Sequence, residues 1–339
     1  LIGNGENLLD SSQSFSWGAL LQELKDSYGI DVDLDNMFKP FPLAFDEMQH
    51  LKSGNNDLRN KLKNLKQAIR QSIDRQLEGK RGFNEYHTKL ASLSYDDILT
   101  TNYDYSLQKS IVPNFIELKD KLAKNKQERK FSLKRRYKMP DEQKAVWHIH
   151  GELFDSRSHS ELSKFYKEES IMIGYEHYTS YLERIQENIK GKSGTQKLDN
   201  QSLMIRLRNG EKSPFWTDLF FTHNLDIVGQ GFDFSENHLW WLINFRANAM
   251  RKINAKHEVD INNRIRFFYP RINGAEQINI KGTNNLDKLI EKKNNVQKSK
   301  AIAEVLKAFK VEPKPIQCDS YTDFYEKLTS TELNASAHL

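Results

Sequence analysis

Apolar residues recur at three- and four-residue spacing across 57–77 (Leu58, Leu62, Leu65, Ile69, Ile73 and Leu77), the period of a helix with one buried face. Elsewhere they bunch into short runs that end at Gly, Asn or Pro, the signature of buried strands. Such runs fall at 95–101, at Val146–Gly151, at Leu225–Val228, at Arg264–Tyr269 (closed by Pro270) and near Ile316, and Ile171–Gly174 is a further short apolar run. The intervening pattern predicts a helix through Trp240, Trp241 and Ile243, a long polar helix around 285–310 and a helix near Phe324. Trp240 and Trp241 read as core or subunit contacts. A basic stretch, 115–140, reads as helical or flexible, with Asp141 and Glu142 after Pro140 as a helix start. The polar 186–212 region, with Gly191, Gly194 and Gly210, reads as a mobile surface insertion. Strands alternating with helices predict an α/β fold, a Rossmann-like parallel sheet with helices on both faces and helical insertions.

Composition narrows the class. No run approaches the roughly 18 apolar residues of a membrane span, and 5 Trp, 13 Tyr and 19 Phe need a core. The single cysteine, Cys318, excludes an intrachain disulfide and any four-cysteine zinc site. The net charge of +5 is local: 119–138 holds ten Lys/Arg against Asp120 and Glu128, a net of +8, so the remainder sums to −3. Leu1-Ile2 supplies barely two residues of strand before Gly3, so further residues are expected upstream, since strands average about five.

Glycine is scarce, 16 of 339 residues, yet Gly3, Gly5, Gly151, Gly229 and Gly231 all follow predicted strands. In open α/β sheets ligands bind at that edge. Gly3-Asn4-Gly5-Glu6-Asn7 suits backbone N–H contact with a pyrophosphate and equally an ordinary tight turn. Thr101-Asn102-Tyr103-Asp104 places an amide and a carboxylate at a strand end, able to hold a polar ligand or to cap a helix. Strand alternation puts His148 and His150 on one face, with His150, beside Gly151, better placed to meet a substrate as a base. They fit paired core histidines as well, and no third ligand of metal spacing accompanies them. Gly229-Gln230-Gly231-Phe232-Asp233 repeats the strand-to-glycine pattern.

Taken in order, GxGxN, TTNYD, HG and the later strand–GxG resemble the sirtuin family, and more closely the sirtuin-like NAD hydrolases of bacterial antiphage, abortive-infection defence. Ser16-Trp17 with Leu20-Leu21, Trp147-His148-Ile149-His150-Gly151, Ile171-Met172-Ile173-Gly174-Tyr175 and Gly229-Gln230-Gly231-Phe232-Asp233 carry the closer likeness. The resemblance implies a sirtuin-like fold without the zinc ribbon, one NAD-binding domain over 1–330 with insertions at about 30–92, 106–142 and 179–215, and a tail at 331–339. It implies NAD as substrate with no metal, Asn102, His150 and Asp104 as catalytic residues, and Gly3, Gly5, Asn7, Gly229, Gly231 and Ser235 along the dinucleotide. Asn102 would place the attacking water, Asp104 would bind the nicotinamide carboxamide, and His150 would contact ribose hydroxyls and act as base. Asp233 and Glu236 suit hydroxyl groups. Glu6 departs from the apolar residue usual after GxG.

The implied reaction is hydrolysis of NAD to nicotinamide and ADP-ribose in the cytoplasm. The absence of zinc cysteines argues against an acetyl-lysine substrate. An unrestrained NAD hydrolase would deplete its own cell, so a homo-oligomer, a second defence protein or a phage-derived trigger is expected to release it. Two other classes stay open at this point. One is a noncatalytic module that binds NAD or ADP-ribose and signals to a partner. The other binds nucleic acid through the basic segment 119–138, which is less favoured because only Phe131 and Tyr137 supply stacking groups.

Overall fold

A computed structural model describes residues 1–9, 17–34, 39–51, 64–69, 71, 82–122, 132–140, 144–152, 171–191, 201–210, 214–251, 260–273 and 286–333. Six strands are present among them: β1 (Asp97–Thr100), β2 (Arg136–Lys138), β3 (Ala145–His148), β4 (Leu225–Ile227), β5 (Ile265–Ile272) and β6 (Glu312–Cys318). They form two three-stranded ladders, β1-β3-β2 and β4-β5-β6. All pairings are parallel except β2 with β3.

The N-terminal residues join the two ladders. Ile2 bridges in parallel to Thr100 on one side and to Val228 on the other. The Ile2 N–H donates to Leu99 O at 2.8 Å, and the Gly3 N–H to Val228 O at 2.9 Å. With this segment counted as the first parallel strand, the parallel strands lie in the spatial order 3-2-1-4-5-6 of the Rossmann fold. Its topological switch point lies between Ile2 and Val228.

Parallel strands buried on both faces read as apolar runs, which is why they were legible in the sequence. On one face Leu99, Trp147, Ile227 and Phe267 pack with residues of α6 (Tyr175–Lys190), α8 (Trp216–Thr222), α9 (Asn237–Arg251) and α10 (Leu286–Ala308). On the other, Ile98, Val146 and Phe268 pack against α3 (Glu85–Ser92), α4 (Ser106–Ile111), α5 (Phe115–Leu122) and α11 (Tyr321–Lys327). A third cluster joins α1 (Trp17–Tyr28), α2 (Phe41–Leu51) and the helical 64–69 segment to Tyr103, Ile171 and Ile173. Tyr103 follows Asn102 directly, so this helical group abuts the carboxyl end of β1. Of the helix expected across 57–77, only 64–69 and residue 71 are described, and they are helical.

Three expectations change. The basic stretch contains a strand: from Leu133 to Met139 the odd positions are buried, including Arg135 and Tyr137, while Lys134, Arg136 and Lys138 are half-exposed. That period of two marks β2 as a charged edge strand, which discourages pairing with another chain. The Met139 N–H donates to Lys144 O across the β2–β3 connection; Asp141 and Glu142, read as a helix start, lie outside the described residues. Pro270 does not close β5, which continues to Ile272. Beyond Phe267 the β4 side of β5 is unpaired, and a proline is tolerated there.

The third change concerns the polar 186–212 region, whose described parts are anchored. α6 runs to Lys190, and α7 (Leu203–Arg208) buries Arg206 against Asp218 of α8 through two bonds of 2.8 Å. A bidentate pair with both groups out of solvent needs fixed geometry to offset desolvation. Asn188 adds its backbone and side-chain oxygens to the same guanidinium.

Candidate functional site

The glycines after the first strand serve internal packing. A Cβ on Gly3 would lie 2.3 Å from Gly229 O and 2.5 Å from Gln230 Oε1. One on Gly5 would lie 2.5 Å from the Tyr325 hydroxyl and 2.9 Å from Gly229 Cα. The space where these side chains would stand is filled by the loop after β4 and by Tyr325 of α11. Gly229, at φ 63°, needs the left-handed conformation that glycine adopts freely. A Cβ on Gly231 would meet nothing within 4 Å. The Glu6 side chain and Ser16 lie outside what is described.

Asn102 follows β1 and reaches across the switch point. Its Nδ2 donates to Gly3 O at 3.1 Å, and its backbone N–H donates to Thr100 Oγ1 at 3.0 Å. His148 Nδ1 donates to the Asn102 carbonyl at 3.0 Å, and His148 Nε2 accepts from Gln108 Nε2 at 2.5 Å. Burial pulls the His148 pKa down, so the ring is neutral and has one hydrogen to donate.

Asp104 accepts from the Ser106 backbone N–H at 2.8 Å, near the start of α4, and from Asn7 Nδ2 at 3.1 Å. Asn7 in turn accepts from His87 Nε2 at 2.8 Å. His87 Nδ1 accepts from the Asn84 N–H at 3.1 Å, within the capping box that starts α3. Burial lowers the His87 pKa to about 4, with Asp104 opposing, so the relay from Asn84 to Asp104 runs through a neutral ring.

His150 departs from the expected alternation. β3 ends at His148, and the next residues turn before Gly151 at φ 90°. His148 therefore meets Tyr105 and Tyr137, whereas His150 meets Tyr178 of α6 and His238 of α9. His150 Nε2 lies 2.8 Å from His238 Nε2. Burial takes the His150 pKa down to about 3 and that of His238 well below its usual value, the neighbouring His150 adding to the latter. Both rings are uncharged. Because Thr100 pairs with His148, Asn102 and His150 both stand two residues past the same register at adjacent strand ends.

A third set closes the mouth between the two halves. Thr101 Oγ1 donates to Gln230 Oε1 at 3.1 Å, and Gln230 Nε2 donates to Glu236 at 2.6 Å. Burial, reinforced by Asp233 and opposed by the Gln230 bond, raises the Glu236 pKa to about 8. Ser235 is buried, and its N–H donates to Asp233 Oδ1 at 2.9 Å. Asp233 also pairs with Lys298 of α10 at 3.3 Å and stays half-exposed. Among the described residues, no group of three or more His, Cys, Asp or Glu is arranged to hold a metal ion.

Asn102, Asp104 and His150 thus stand with Gly3, Asn7 and Gly229 at the carboxyl edge of a Rossmann sheet, at its switch point. Residues 96–253 match the SIR2-like domain family. The SIR2-like segment runs from the start of β1 into α9 and contains Asn102, His150, Gln230 and His238. SIR2-like domains are often NAD-acting enzymes, which fits the position of the site. No curated protein matches the chain in sequence. No helix among the described residues is long and apolar enough to cross a membrane.

Sequence reasoning missed His87, Tyr178 and His238. The His87 signal is present as Asn84-x-x-His87, which reads as a helix cap and is one. His238 has only a weak signal, a histidine in the first turn of the helix after the strand–GxG pattern. Near β2 the basic segment is partly engaged within the fold: Arg135 is buried beside Glu152, and Arg136 lies over the Trp147 ring at 4.7 Å, while Lys134 and Lys138 are half-exposed. Residues 123–131 of that segment lie outside the described residues.

Proposed function

We propose that the protein is an NAD hydrolase that releases nicotinamide and ADP-ribose, with Asn102 and His150 at the reacting centre. The observation that carries this reading is a carboxamide fixed by Gly3 and an uncharged imidazole, each two residues past the same register at adjacent strand ends. A neutral imidazole can take a proton from water, and an imidazolium cannot.

The reaction asks for little acid catalysis. Breaking the bond between the ribose anomeric carbon and the pyridinium nitrogen returns an electron pair to the ring and leaves an oxocarbenium-like sugar. Water adds its oxygen to that carbon and gives its proton to His150, which passes it to solvent. Asn102 orients the water, and its own placement comes from Gly3 and His148. Asp104, held by Ser106 and Asn7, is assigned to the nicotinamide carboxamide.

The adenosine half is assigned to the Gly229–Glu236 loop. There Phe234 is 63% exposed and stacks on Trp240, with centroids 5.6 Å apart and planes within 21°. An aromatic ring presented in this way offers a base a stacking surface. Restraint by assembly or by a partner belongs to the same reading, as does a role in antiphage defence.

Purified protein should convert NAD to equimolar nicotinamide and ADP-ribose, and Asn102→Ala and His150→Ala should each abolish turnover with thermal unfolding retained. Activity retained in either variant would break the residue assignment.

A further inference from the structure

We propose that His238 is a positioning residue for His150, accepting its Nε2 hydrogen so that Nδ1 keeps a lone pair for the proton of water. The choice of tautomer rests on the hydrolase reading, which needs a lone pair on His150; the tautomer itself can be measured without NAD turnover.

Two Nε2 atoms 2.8 Å apart share one hydrogen, because both rings are uncharged. If His238 carries it, His150 holds its own hydrogen on Nδ1 and has no nitrogen left to take a proton. If His150 carries it, Nδ1 is the base and Nε2–H stays pinned. Among the described residues Nδ1 of His150 makes no hydrogen bond, so it is the nitrogen left for a ligand or water.

The surroundings hold His238 in place for this. Tyr178 lies flat on its ring, with centroids 5.2 Å apart and planes within 9°. Tyr181 tilts against it at 5.5 Å and is itself held by Trp216 Nε1 at 2.8 Å. His238 is fully buried, and its Nδ1 has no partner among the described residues. A buried polar atom left without a partner is costly and calls for an explanation. In the proposed tautomer this Nδ1 carries the His238 hydrogen, a cost borne by the arrangement that leaves the His150 Nδ1 lone pair free.

Where a base histidine is oriented by a carboxylate, the partner also adds negative charge. An imidazole orients without charge, so a proton gained at His150 Nδ1 is not trapped in an ion pair. Water's oxygen bonds to the anomeric carbon, its proton goes to Nδ1, and Nε2–H remains with His150.

The test compares His238→Phe, which keeps an aromatic ring against Tyr178 and removes the acceptor, with His238→Gln, whose carboxamide oxygen can accept. Nitrogen-15 correlation spectra of the wild type should show His150 protonated at Nε2, and H238F should show a mixture of tautomers. Nicotinamide release should fall at least 100-fold in H238F, within the range of general base catalysis. KM should stay within a few-fold and the thermal transition should be retained, while H238Q should recover at least tenfold. His150 protonated at Nδ1 in the wild type overturns the proposal whether or not NAD is hydrolysed. So does H238F with wild-type kcat, or H238Q no better than H238F. Wild-type protein with His150 at Nε2–H and no NAD turnover removes the hydrolase reading and upholds the tautomer assignment.

Discussion

The Asn102 carboxamide donates to the Gly3 carbonyl at 3.1 Å and so ties the end of β1 to the first strand at the point where the strand order reverses. An enzyme that needs a water held over a reacting carbon gains from such a tether, because the amide is aimed before the substrate arrives. Asn102→Asp replaces the donor with a carboxylate facing Gly3 O. It should lower kcat at least as far as Asn102→Ala, by 100-fold or more. Loss of the bond itself should cost about 1 kcal/mol in urea denaturation.

Gly3 and Gly231 should respond differently to the same added methyl. Gly3→Ala drives a Cβ to within 2.3 Å of Gly229 O, and the backbone on both sides must shift. A loss of about 1–3 kcal/mol in denaturant unfolding is expected, as for other overpacked sites. Gly231→Ala meets nothing within 4 Å and should leave stability unchanged, any effect showing in KM for NAD.

Stability should fall as the pH drops from about 6.5 towards 4. His150 and His87 have folded pKa values near 3 and 4, below the 6.5 of an unfolded chain, and burial is the first cause for each. Their contributions are complete above pH 6.5 and are lost as the unfolded state gains protons that the folded state refuses. Each group gives a slope of at most about 1.4 kcal/mol per pH unit. Glu236 works in the opposite sense: its folded pKa of about 8 lies above the ordinary 4.5, so its contribution is lost as pH rises between these values. Unfolding curves from pH 4 to 8 should show the acid limb. Glu236→Gln should flatten the fall on the alkaline side.

Phe234→Ala should raise KM for NAD about tenfold, the scale of one lost base stack. Nicotinamide mononucleotide lacks adenine, and its KM should be unaffected. Equal effects on both substrates would remove Phe234 from the adenine site.

Removing one member of the Arg206–Asp218 pair should cost about 3–5 kcal/mol, since the other charge is left buried. Asp218→Asn followed by urea denaturation measures this, and limited proteolysis near 201–210 should accelerate.

Much of the sheet was legible because its strands are short apolar runs that end at polar or glycine residues: 97–100 before Asn102, 145–148 before Gly151, 225–227 before Gly229. β2 was not, because the buried residues at and beside it include Arg135 and the outward ones are all basic, so composition hid the alternation. Pro270 misled for a related reason, since its tolerance depends on β4 ending early, which no local pattern records. In the site, Asn102 and Asp104 could be singled out from one tetrapeptide, yet the Gly3 and Asn7 partners lie 99 and 97 residues away. The His150–His238 contact spans 88 residues and depends on β3 ending at His148. Strand periodicity put His150 on the face of His148, and the turn before Gly151 sent it to α9 instead.

Nicotinamide and ADP-ribose released from NAD, measured by chromatography across a range of protein concentrations, test the central claim most directly. Stoichiometric release by the wild type, rising more steeply than protein concentration if assembly lifts the restraint, and none from Asn102→Ala, is the expected result. Intact NAD at every protein concentration, with a partner or trigger supplied, would contradict it.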